Sequence, residues 1–293
     1  MKPTSGQPRI ASECVTCGSR NLHRNSAILM PFVAHRVFGW EPVRIDESWG
    51  LRSISQGMAY SLCNTLHCEF CDLVFLDIRF DDREMAALYS GYRDEEYVAL
   101  RDRYEPGYRE RNSRIAAGVV HLDKIEDFLS PWLVNAAPRV LDWGGDTGIN
   151  TPFRSRASAL DIFDISDRPV IAGAAKVNYF RALEGHYDLI VSSHVLEHIP
   201  FPREQILEIG SVMKKDTVLY IEVPQEDLIR HRGDDPNFWL KKRHWHEHIN
   251  FHSEASLRRL VEGCGLSVLS LETLSIVGGG SATHVFQLAC RKS

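Results

Sequence analysis

Short apolar runs separated by polar and glycine-rich turns recur from Ala116 onward and alternate with amphipathic stretches. Buried strands are predicted at Val140–Leu141, 159–163, 187–192 and 218–223. Helices are predicted over 121–133, 204–214 and 254–264, the last with Ser253 as its N-cap and Gly265 as its stop. This alternation is typical of a doubly wound α/β sheet, in which helices cover both faces of parallel strands.

The N-terminal part of the chain has a different pattern. Apolar residues over 32–45 and 54–62 predict strands of a small, irregular β unit. From Asp81 to Arg114 the sequence becomes charged and rich in tyrosine, which predicts helices. We therefore divide the chain into an N-terminal module over 1–78, a helical connector over 79–130 and an α/β domain over 131–293.

Five tyrosines of the connector have two interpretations. They are Tyr89, Tyr92, Tyr97, Tyr104 and Tyr108. In the favoured interpretation they pack one helix face against the neighbouring domain. In the other, Tyr92, Tyr97 or Tyr108 lines a substrate pocket, since tyrosine has an apolar ring with a hydrogen-bonding tip.

Composition and charge narrow the classes of function. The 293 residues suffice for one large domain or two smaller ones with their own cores. The net charge of −5 gives no electrostatic reason to expect nucleic acid or an anionic membrane as a partner. No run approaches the roughly twenty apolar residues of a membrane helix, and the polar start lacks the apolar core of a signal peptide. We therefore expect a cytoplasmic protein that binds neither nucleic acid nor membrane.

Two C-x-x-C pairs account for four of the seven cysteines. They are Cys14 with Cys17 and Cys68 with Cys71. The odd total fits reduced thiols and a metal site better than a secreted disulfide framework. Each pair has the spacing of a zinc knuckle, and four thiolates leave no open position, so we predict a structural zinc. Unliganded buried cysteines and a redox pair are the alternatives, and Cys63 or His67 is a substitute for one ligand of the second pair.

A glycine turn follows the strand at Val140 and Leu141, in the stretch RVLDWGGDTGIN over 139–150. Its glycines let the backbone approach a ligand closely, at the edge where a doubly wound sheet binds ligands. The turn carries Asp142, Gly144, Gly145, Asp146 and Gly148.

The order acid-x-Gly-x-x-x-Gly resembles the first motif of class I S-adenosylmethionine (SAM)-dependent methyltransferases. The resemblance implies a Rossmann-like sheet closed by an antiparallel pair over 267–274 and 283–290, and a loop that carries the methionine end of SAM. Asp146 stands in place of the family's central glycine, and its carboxylate is expected to meet the cofactor's ammonium or to cap the next helix. Asp164 is expected to bind the ribose hydroxyls, with Asp161 as the less favoured choice, on the opposite face of its strand.

The stretch HVLEH over 194–198 follows the strand at 187–192 and matches a stretch common in these methyltransferases. The resemblance places His194 beside the sulfonium and the incoming acceptor. For Glu197 and His198, a role in capping or bracing the following turn is as favoured as a role beside the reacting centre. The expected SAM-binding residues are Asp142, Gly144, Gly145, Asp146, Gly148, Asp164 and His194.

Four histidines lie close together in RHWHEHINFHS over 243–253. Alternate residues of an extended segment share one face, so a second metal site is one interpretation. The resemblance offers another. The paired cysteines, the tyrosine-rich connector, the glycine turn and W-H-E-H-I-N-F are similar to the zinc-containing methyltransferases of deoxysugar and polysaccharide biosynthesis. In the sugar C-methyltransferases of that group, the last histidine of a Tyr-His-Glu-His stretch acts as base on a keto-sugar; His248 matches that histidine, Glu247 matches the acid and Trp245 replaces the tyrosine.

We therefore expect a SAM-dependent methyltransferase that acts on a small molecule, with a sugar, nucleotide-sugar or glycan as acceptor and O- or C-methylation open. His248 is the expected general base, His194 the second choice, and Glu247 a group that orients or polarises its neighbour. The rival is a catalytically silent scaffold that recruits a partner through its zinc module, a possibility that Asp146 keeps open. A nucleic-acid methyltransferase is disfavoured by the acidic net charge and by the absence of an Asn-Pro-Pro-Tyr-type motif.

Overall fold

The computed structural model of the chain describes residues 8–50, 54–116, 121–166, 168–278 and 281–293. The elements of its N-terminal part are β1 (Leu22–Leu29), α1 (Pro31–Phe38), β2 (Val43–Ile45), β3 (Gly57–Ala59), β4 (Leu62–Cys68), β5 (Val74–Leu76), α2 (Asp82–Tyr89), α3 (Glu95–Tyr104) and α4 (Tyr108–Ala116). Those that follow are α5 (Leu122–Leu129), β6 (Arg139–Trp143), β7 (Ala159–Phe163), β8 (Ala174–Lys176), α6 (Tyr179–Glu184), β9 (Leu189–Ser193), α7 (Pro202–Val212), β10 (Val218–Pro224), α8 (Asp227–Arg230), β11 (His244–Trp245), β12 (Asn250–Phe251), α9 (Glu254–Glu262), β13 (Leu266–Gly278) and β14 (Ser281–Lys292).

The larger sheet has the strand order β13-β14-β10-β9-β6-β7-β8. The strands from β10 to β8 are parallel to one another, and β14 runs antiparallel to both β10 and β13. The predicted α/β sheet and its closing antiparallel pair are therefore confirmed. Chain order reverses between β6 and β9, so the crevice in which such sheets bind ligands opens at the carboxyl ends of these two strands.

The chain between β6 and β7 forms a series of turns. Gly148 donates its N–H to the carbonyl of Gly145 at 2.8 Å, and Thr151 donates to the carbonyl of Gly148 at 3.2 Å. No helix begins within residues 144–158, all of which the structure describes, so the expectation that Asp146 caps a helix is wrong. Pro152 accounts for the difference, since it removes a backbone donor and disfavours helical geometry in the residue before it.

The first part of segment 32–45, predicted as strand, belongs to the helix α1 (Pro31–Phe38). Pro31 occupies its first turn, and Gly39 ends it with a left-handed φ of +65°. Its β-branched and aromatic residues favour strands locally, but Phe32 and Val33 are fully buried in the main core, and this packing outweighs the local preference. The two following strands, β2 and β3, pair as an antiparallel ribbon.

The smaller sheet joins the two ends of the chain. Its order is β11-β1-β4-β5-β12, so two short strands from the histidine-rich segment flank three strands of the N-terminal module. β11 is parallel to β1, and β12 is antiparallel to β5. The module therefore fixes the position of the segment between these strands, which contains Glu247 and His248.

Arg79 ties this sheet to the turn after β9. Its guanidinium, 1% exposed, donates to the carbonyl of Pro200 at 3.1 Å and to the side-chain oxygen of Asn250 at 2.9 Å. The Asn250 amide in turn donates to the carbonyls of Leu196 and Ile199 at 2.9 and 2.7 Å. Buried polar groups are costly unless they are paired, so this network holds the two segments in one arrangement.

The charged, tyrosine-rich stretch expected to be helical contains α2, α3 and α4. Tyr97 and Tyr108 are buried, and Tyr92 and Tyr97 meet edge to face with ring centroids 5.4 Å apart. Packing, the favoured interpretation of the tyrosines, therefore holds for these side chains. None of the helices in the described part of the chain is long and apolar enough to cross a membrane.

Candidate active site

The glycine turn lies tightly against the end of β6. Gly144 and Gly148 have left-handed φ angles of +87° and +82°, which favour glycine. A Cβ on Gly144 would lie 2.5 Å from Val195 Cγ2, and one on Gly145 would lie 2.4 Å from Asp142 Cγ. The close contacts leave no room for side chains at these two positions, so the loop presents bare backbone to the crevice.

Asp142 supports this loop from below. Its carboxylate is 4% exposed and accepts a hydrogen bond from the Thr151 hydroxyl at 2.5 Å. Burial raises the pKa of Asp142 to about 7, and the Thr151 bond opposes that shift only in part. The side chain therefore acts as a fixed support inside the sheet edge.

Asp146 has a left-handed backbone conformation, with φ +53°, which glycine adopts more readily than other residues. Its N–H donates to a carboxylate oxygen of Asp164 at 2.9 Å. Its own carboxylate accepts a hydrogen bond from the Arg168 guanidinium and another from the Ser166 hydroxyl at 3.5 Å. Asp146 thus occupies a left-handed position of the loop and forms an ion pair with Arg168 at its rim.

Asp164 stands at the carboxyl end of β7, beside the loop. Besides the Asp146 N–H, it accepts the Ser166 N–H at 2.7 Å, and each oxygen keeps a further lone pair for a ligand. Asp161, the less favoured choice, instead accepts the Tyr187 hydroxyl at 2.8 Å on the other side of the strand. The two acids therefore have different partners, as expected for residues on opposite faces of a strand.

His194 follows β9 with a left-handed φ of +54° and lies between two buried acids. Its Nδ1 is 3.3 Å from Glu197 Oε1, and its Nε2 is 3.2 Å from Glu222 Oε1. Burial lowers the pKa of His194, but the contacts with Glu197 and Glu222 outweigh it and raise the pKa to about 10. The imidazole is therefore charged at neutral pH and forms ion pairs with both carboxylates.

Both ring nitrogens of His194 contact carboxylates, whereas only one ring nitrogen of His248 does. Its Nδ1 donates to Glu226 Oε1 at 2.7 Å, and its side chain is 34% exposed. Burial lowers the pKa of His248, but the bond to Glu226 and the charges of Glu197 and Glu247 raise it above the usual value. His248 thus combines an oriented ring with an unused Nε2 atom.

His198 packs edge to face on His248, with ring centroids 4.6 Å apart. Its Nδ1 lies 2.9 Å from the Tyr89 hydroxyl and 3.1 Å from the carbonyl of Glu247. Burial, together with the positive charge of His248, lowers the pKa of His198 to about 4. The ring is therefore neutral at physiological pH.

Glu247 points away from His248 toward the connector. Its carboxylate accepts from Arg101 Nη2 at 2.5 Å, and Arg101 also donates to Glu105 at 3.1 Å. Burial raises the pKa of Glu247, but the charges of Arg101 and His248 outweigh it and lower the pKa to about 2. Glu247 is thus an ionised group whose charge acts on the neighbouring histidines.

The structure therefore brings the predicted site residues to one sheet edge. The glycine loop and Asp164 lie at the ends of β6 and β7, while His194 follows β9 and reaches His248 through Glu197 and His198. Sequence reasoning missed Glu222 and Glu226 as functional candidates. Glu222 lies near the carboxyl end of the buried strand β10, a position that gave the same signal as Asp164. Nothing in the sequence pairs Glu226 with His248.

The four cysteines of the two C-x-x-C pairs form one cluster. Their sulfur atoms all lie within 4.8 Å of one another, with Cys14 and Cys71 3.5 Å apart and Cys17 and Cys68 3.6 Å apart. A tetrahedral zinc with bonds of about 2.3 Å requires sulfur separations of about 3.8 Å. The donor set therefore fits such an ion.

Both halves of the cluster use the same turn. Gly18 and Asp72, which follow the second cysteine of each pair, have φ angles of +74° and +64° and donate to the carbonyl of the first cysteine at 2.8 Å. The proposed substitutes lie elsewhere, since Cys63 is buried in the main core and His67 Nε2 bonds Asp72 at 2.9 Å. The cluster is the four-cysteine set that the spacing predicted.

Sequence comparison assigns the family. The family described as "Methyltransferase domain" matches residues 107–271, more than half of the chain. The chain belongs to this methyltransferase family. The matched region includes the glycine turn, the HVLEH stretch and the histidine-rich segment of the methyltransferase. No curated protein sequence matches the chain.

Several solved methyltransferases are similar in structure at low identity. The Burkholderia thailandensis 1,6-didemethyltoxoflavin-N1-methyltransferase is 16% identical, over 68% of this chain and 89% of that one, with a TM-score of 0.47. A glycopeptide N-methyltransferase complexed with sinefungin is 10% identical, over 60% and 95%, with a TM-score of 0.45. The magnesium protoporphyrin IX methyltransferase of Synechocystis is 17% identical, over 59% and 82%, with a TM-score of 0.41. The family assignment rests on the sequence match.

Proposed function

We propose that the protein is a SAM-dependent methyltransferase that methylates a small-molecule acceptor and uses His248 as general base. The observation that carries this proposal is the oriented His248–Glu226 pair at the same sheet edge as the glycine loop. The fold alone is shared by many functions, so the assignment depends on these side chains.

The crevice has the features that SAM requires. Gly144 and Gly145 leave bare backbone where a Cβ would collide, and Asp164 has free lone pairs for the ribose hydroxyls. When bound, SAM supplies an electrophilic methyl group on a sulfonium. Two carboxylates and one imidazolium at Glu197, Glu222 and His194 together carry a net negative charge, which favours a cationic ligand.

The residues of the chain mainly align the reactants and remove a proton. The Glu226 carboxylate can only accept, so the proton of neutral His248 lies on Nδ1 and the lone pair on Nε2. For a hydroxyl acceptor, the His248 Nε2 lone pair would take the proton that the oxygen loses on methylation, and the sulfonium sulfur would leave as a neutral thioether. His194, charged at neutral pH, holds its position between two acids and is not the base.

A sugar, nucleotide-sugar or glycan is the acceptor class that we propose. The support is the combined occurrence of the cysteine pairs, the tyrosine-rich connector and the W-H-E-H-I-N-F segment, with O- or C-methylation open. The cysteine cluster would hold a structural zinc, since four thiolates leave no position for a substrate. A radiolabelled SAM assay against nucleotide-sugars and glycans tests the acceptor class.

Calorimetric titration with SAM and S-adenosylhomocysteine, together with metal analysis, tests the function directly. Binding of both, with zinc in the cysteine cluster, supports the enzyme. A folded, zinc-loaded protein that binds neither would replace the proposal by the scaffold function, with the Asp146–Arg168 pair closing the loop.

We expect Gly145→Ala to weaken SAM binding about five- to a hundredfold, because overpacking costs about 1–3 kcal/mol and tenfold corresponds to about 1.4 kcal/mol. The new Cβ would meet Asp142, which Thr151 holds in place, so the loop must move. Calorimetry measures the change. Gly210→Ala is the control, since open space surrounds Gly210 within α7; equal affinities for both variants would contradict the loop assignment.

We expect Glu226→Gln to shift the pH dependence of kcat/KM. The base acts only when it is unprotonated, so the rate rises with pH through the pKa of His248, which is raised in the native protein. A neutral partner lowers that pKa, and the rising limb moves about one unit toward lower pH. Asp227→Asn, which changes a carboxylate bonded to Arg230, is the control and should leave the pH dependence of kcat/KM unchanged. Identical pH profiles for the native protein and both variants would show that Glu226 does not set the pKa of His248.

A further inference from the structure

We propose that Glu197, His198 and His248 form a binding site for a first-row divalent cation, separate from the cysteine cluster. One ligand atom from each of the three lies within 4.8 Å of the others. Two imidazoles and a carboxylate are a donor set that binds ions such as Zn²⁺ and Fe²⁺. The site differs from the row of alternating histidines that the sequence suggested, because its ligands come from two separate segments.

The hydrogen bonds of both histidines leave the nitrogen that a metal needs. A carbonyl or a carboxylate only accepts, so His248 donates from Nδ1 to Glu226. His198 with its proton on Nδ1 donates to the Glu247 carbonyl and faces the Tyr89 hydroxyl, which can also accept. Both Nε2 atoms then carry lone pairs. Metal-binding histidines almost always have their other ring nitrogen bonded in this way, which fixes the tautomer and the ring orientation.

Glu197 supplies an independent indication of a missing ligand. Its side chain is buried, yet neither carboxylate oxygen has a hydrogen-bond partner. Oε1 lies 3.8 Å from His198 Nε2 and 3.3 Å from His194 Nδ1. The charge of Glu197 is paired with that of His194, but a buried carboxylate is costly without hydrogen bonds, and a cation between Glu197 and the two Nε2 atoms would bind the carboxylate directly. Glu222 remains beside His194 as its second acid.

A second group, Glu105, His246 and Glu247, has similar spacing but already contains a cation. The Arg101 guanidinium contacts Glu247 at 2.5 Å and Glu105 at 3.1 Å. Its charge repels a metal ion, so this group serves as a matched comparison. The proposed site has no guanidinium among the described contacts of its three ligands.

Occupation of the site has a consequence for catalysis that rests on the proposed function. A cation bound to His248 Nε2 takes up the lone pair that would accept the acceptor's proton. We therefore expect such ions to inhibit methyl transfer over the concentration range in which they bind, and a chelator to restore it.

The test begins with full-length protein whose cysteine cluster is zinc-loaded, titrated with Zn²⁺ by calorimetry and with Co²⁺ by absorption. We expect a second equivalent of either ion, with Co²⁺ bands that lack thiolate charge transfer. His198→Gln, His248→Gln and Glu197→Gln should lose this equivalent, while His246→Gln should retain it. Melting curves verify that each variant is folded. If Glu197→Gln does not fold, the two histidine variants still test the site.

Absence of a second equivalent, its persistence in His198→Gln and His248→Gln, or its loss in His246→Gln alone would overturn the site. Binding without inhibition would uphold the site and contradict the base role of His248. The failure of the cation site and the failure of the proposed mechanism are therefore distinguishable.

Discussion

Replacement of His248 by alanine is expected to lower kcat of methyl transfer by about a hundred- to ten-thousandfold, the usual contribution of a positioned general base. His248 is the histidine at the site that combines a carboxylate-bonded Nδ1 with an unused Nε2 and partial exposure. His194 cannot replace it, because Glu197 and Glu222 keep His194 charged at neutral pH. The glycine loop and Asp164 do not contact the ring, so the affinity for SAM should be retained.

Steady-state kinetics with an identified acceptor, together with SAM calorimetry, measures both quantities. His244→Ala is the matched control, since this exposed histidine lies in the same segment on β11 and faces His246 rather than the site. Unchanged turnover of the His248 variant would remove it as base. Loss of SAM binding in step with turnover would instead indicate a structural role in the crevice.

The α/β sheet could be predicted because its strands have strong local signals. Buried apolar runs flanked by turns mark β6, β7, β9 and β10, and the predicted β7 has the same ends as the observed strand. Ser253 likewise caps α9 with a capping box, as expected. These elements agree with their local sequence, so reading the chain in order finds them.

Contacts between segments far apart in the chain could not be predicted from the local sequence. α1 has the composition of a strand, and its helical form follows from packing against the core. β11 and β12 are each two residues long, too short for a periodic signal, yet they connect the histidine-rich segment to the N-terminal sheet.

The candidate site likewise contains residues that the sequence could identify and residues that only the tertiary fold brings together. The motif residues around the glycine loop could be found from spacing, and so could the cysteines. Glu226 and Tyr89 are within hydrogen-bonding distance of His248 and His198 through contacts spanning 22 and 109 residues, and no spacing rule connects them. The pairing that distinguishes the proposed base from the other histidines is therefore a product of the tertiary fold.

Replacement of Cys68 by serine is expected to release the metal from the cysteine cluster and to destabilise the N-terminal sheet. Structural zinc contributes about 10–16 kcal/mol of apparent binding free energy in zinc-finger peptides, so its loss is among the largest single changes available to a small module. Cys68 ends β4, and with Cys14 and Cys71 it packs on Leu66 and Phe75. Zinc content and the melting temperature measure the effect, with Cys264→Ser, outside the cluster and half-buried, as control.

The same variant should lose methyl transfer, although the cluster belongs to a different sheet from the glycine loop. β5 of the N-terminal sheet pairs with β12, and β1 pairs with β11, so this sheet holds both ends of the segment that carries His248. Loosening the sheet moves the proposed base, while the glycine loop and Asp164, at the ends of β6 and β7, remain in place. We therefore expect turnover to fall more than SAM affinity; a Cys68→Ser protein with full zinc content, or with both quantities unchanged, would show that the cluster neither binds the metal nor positions the base.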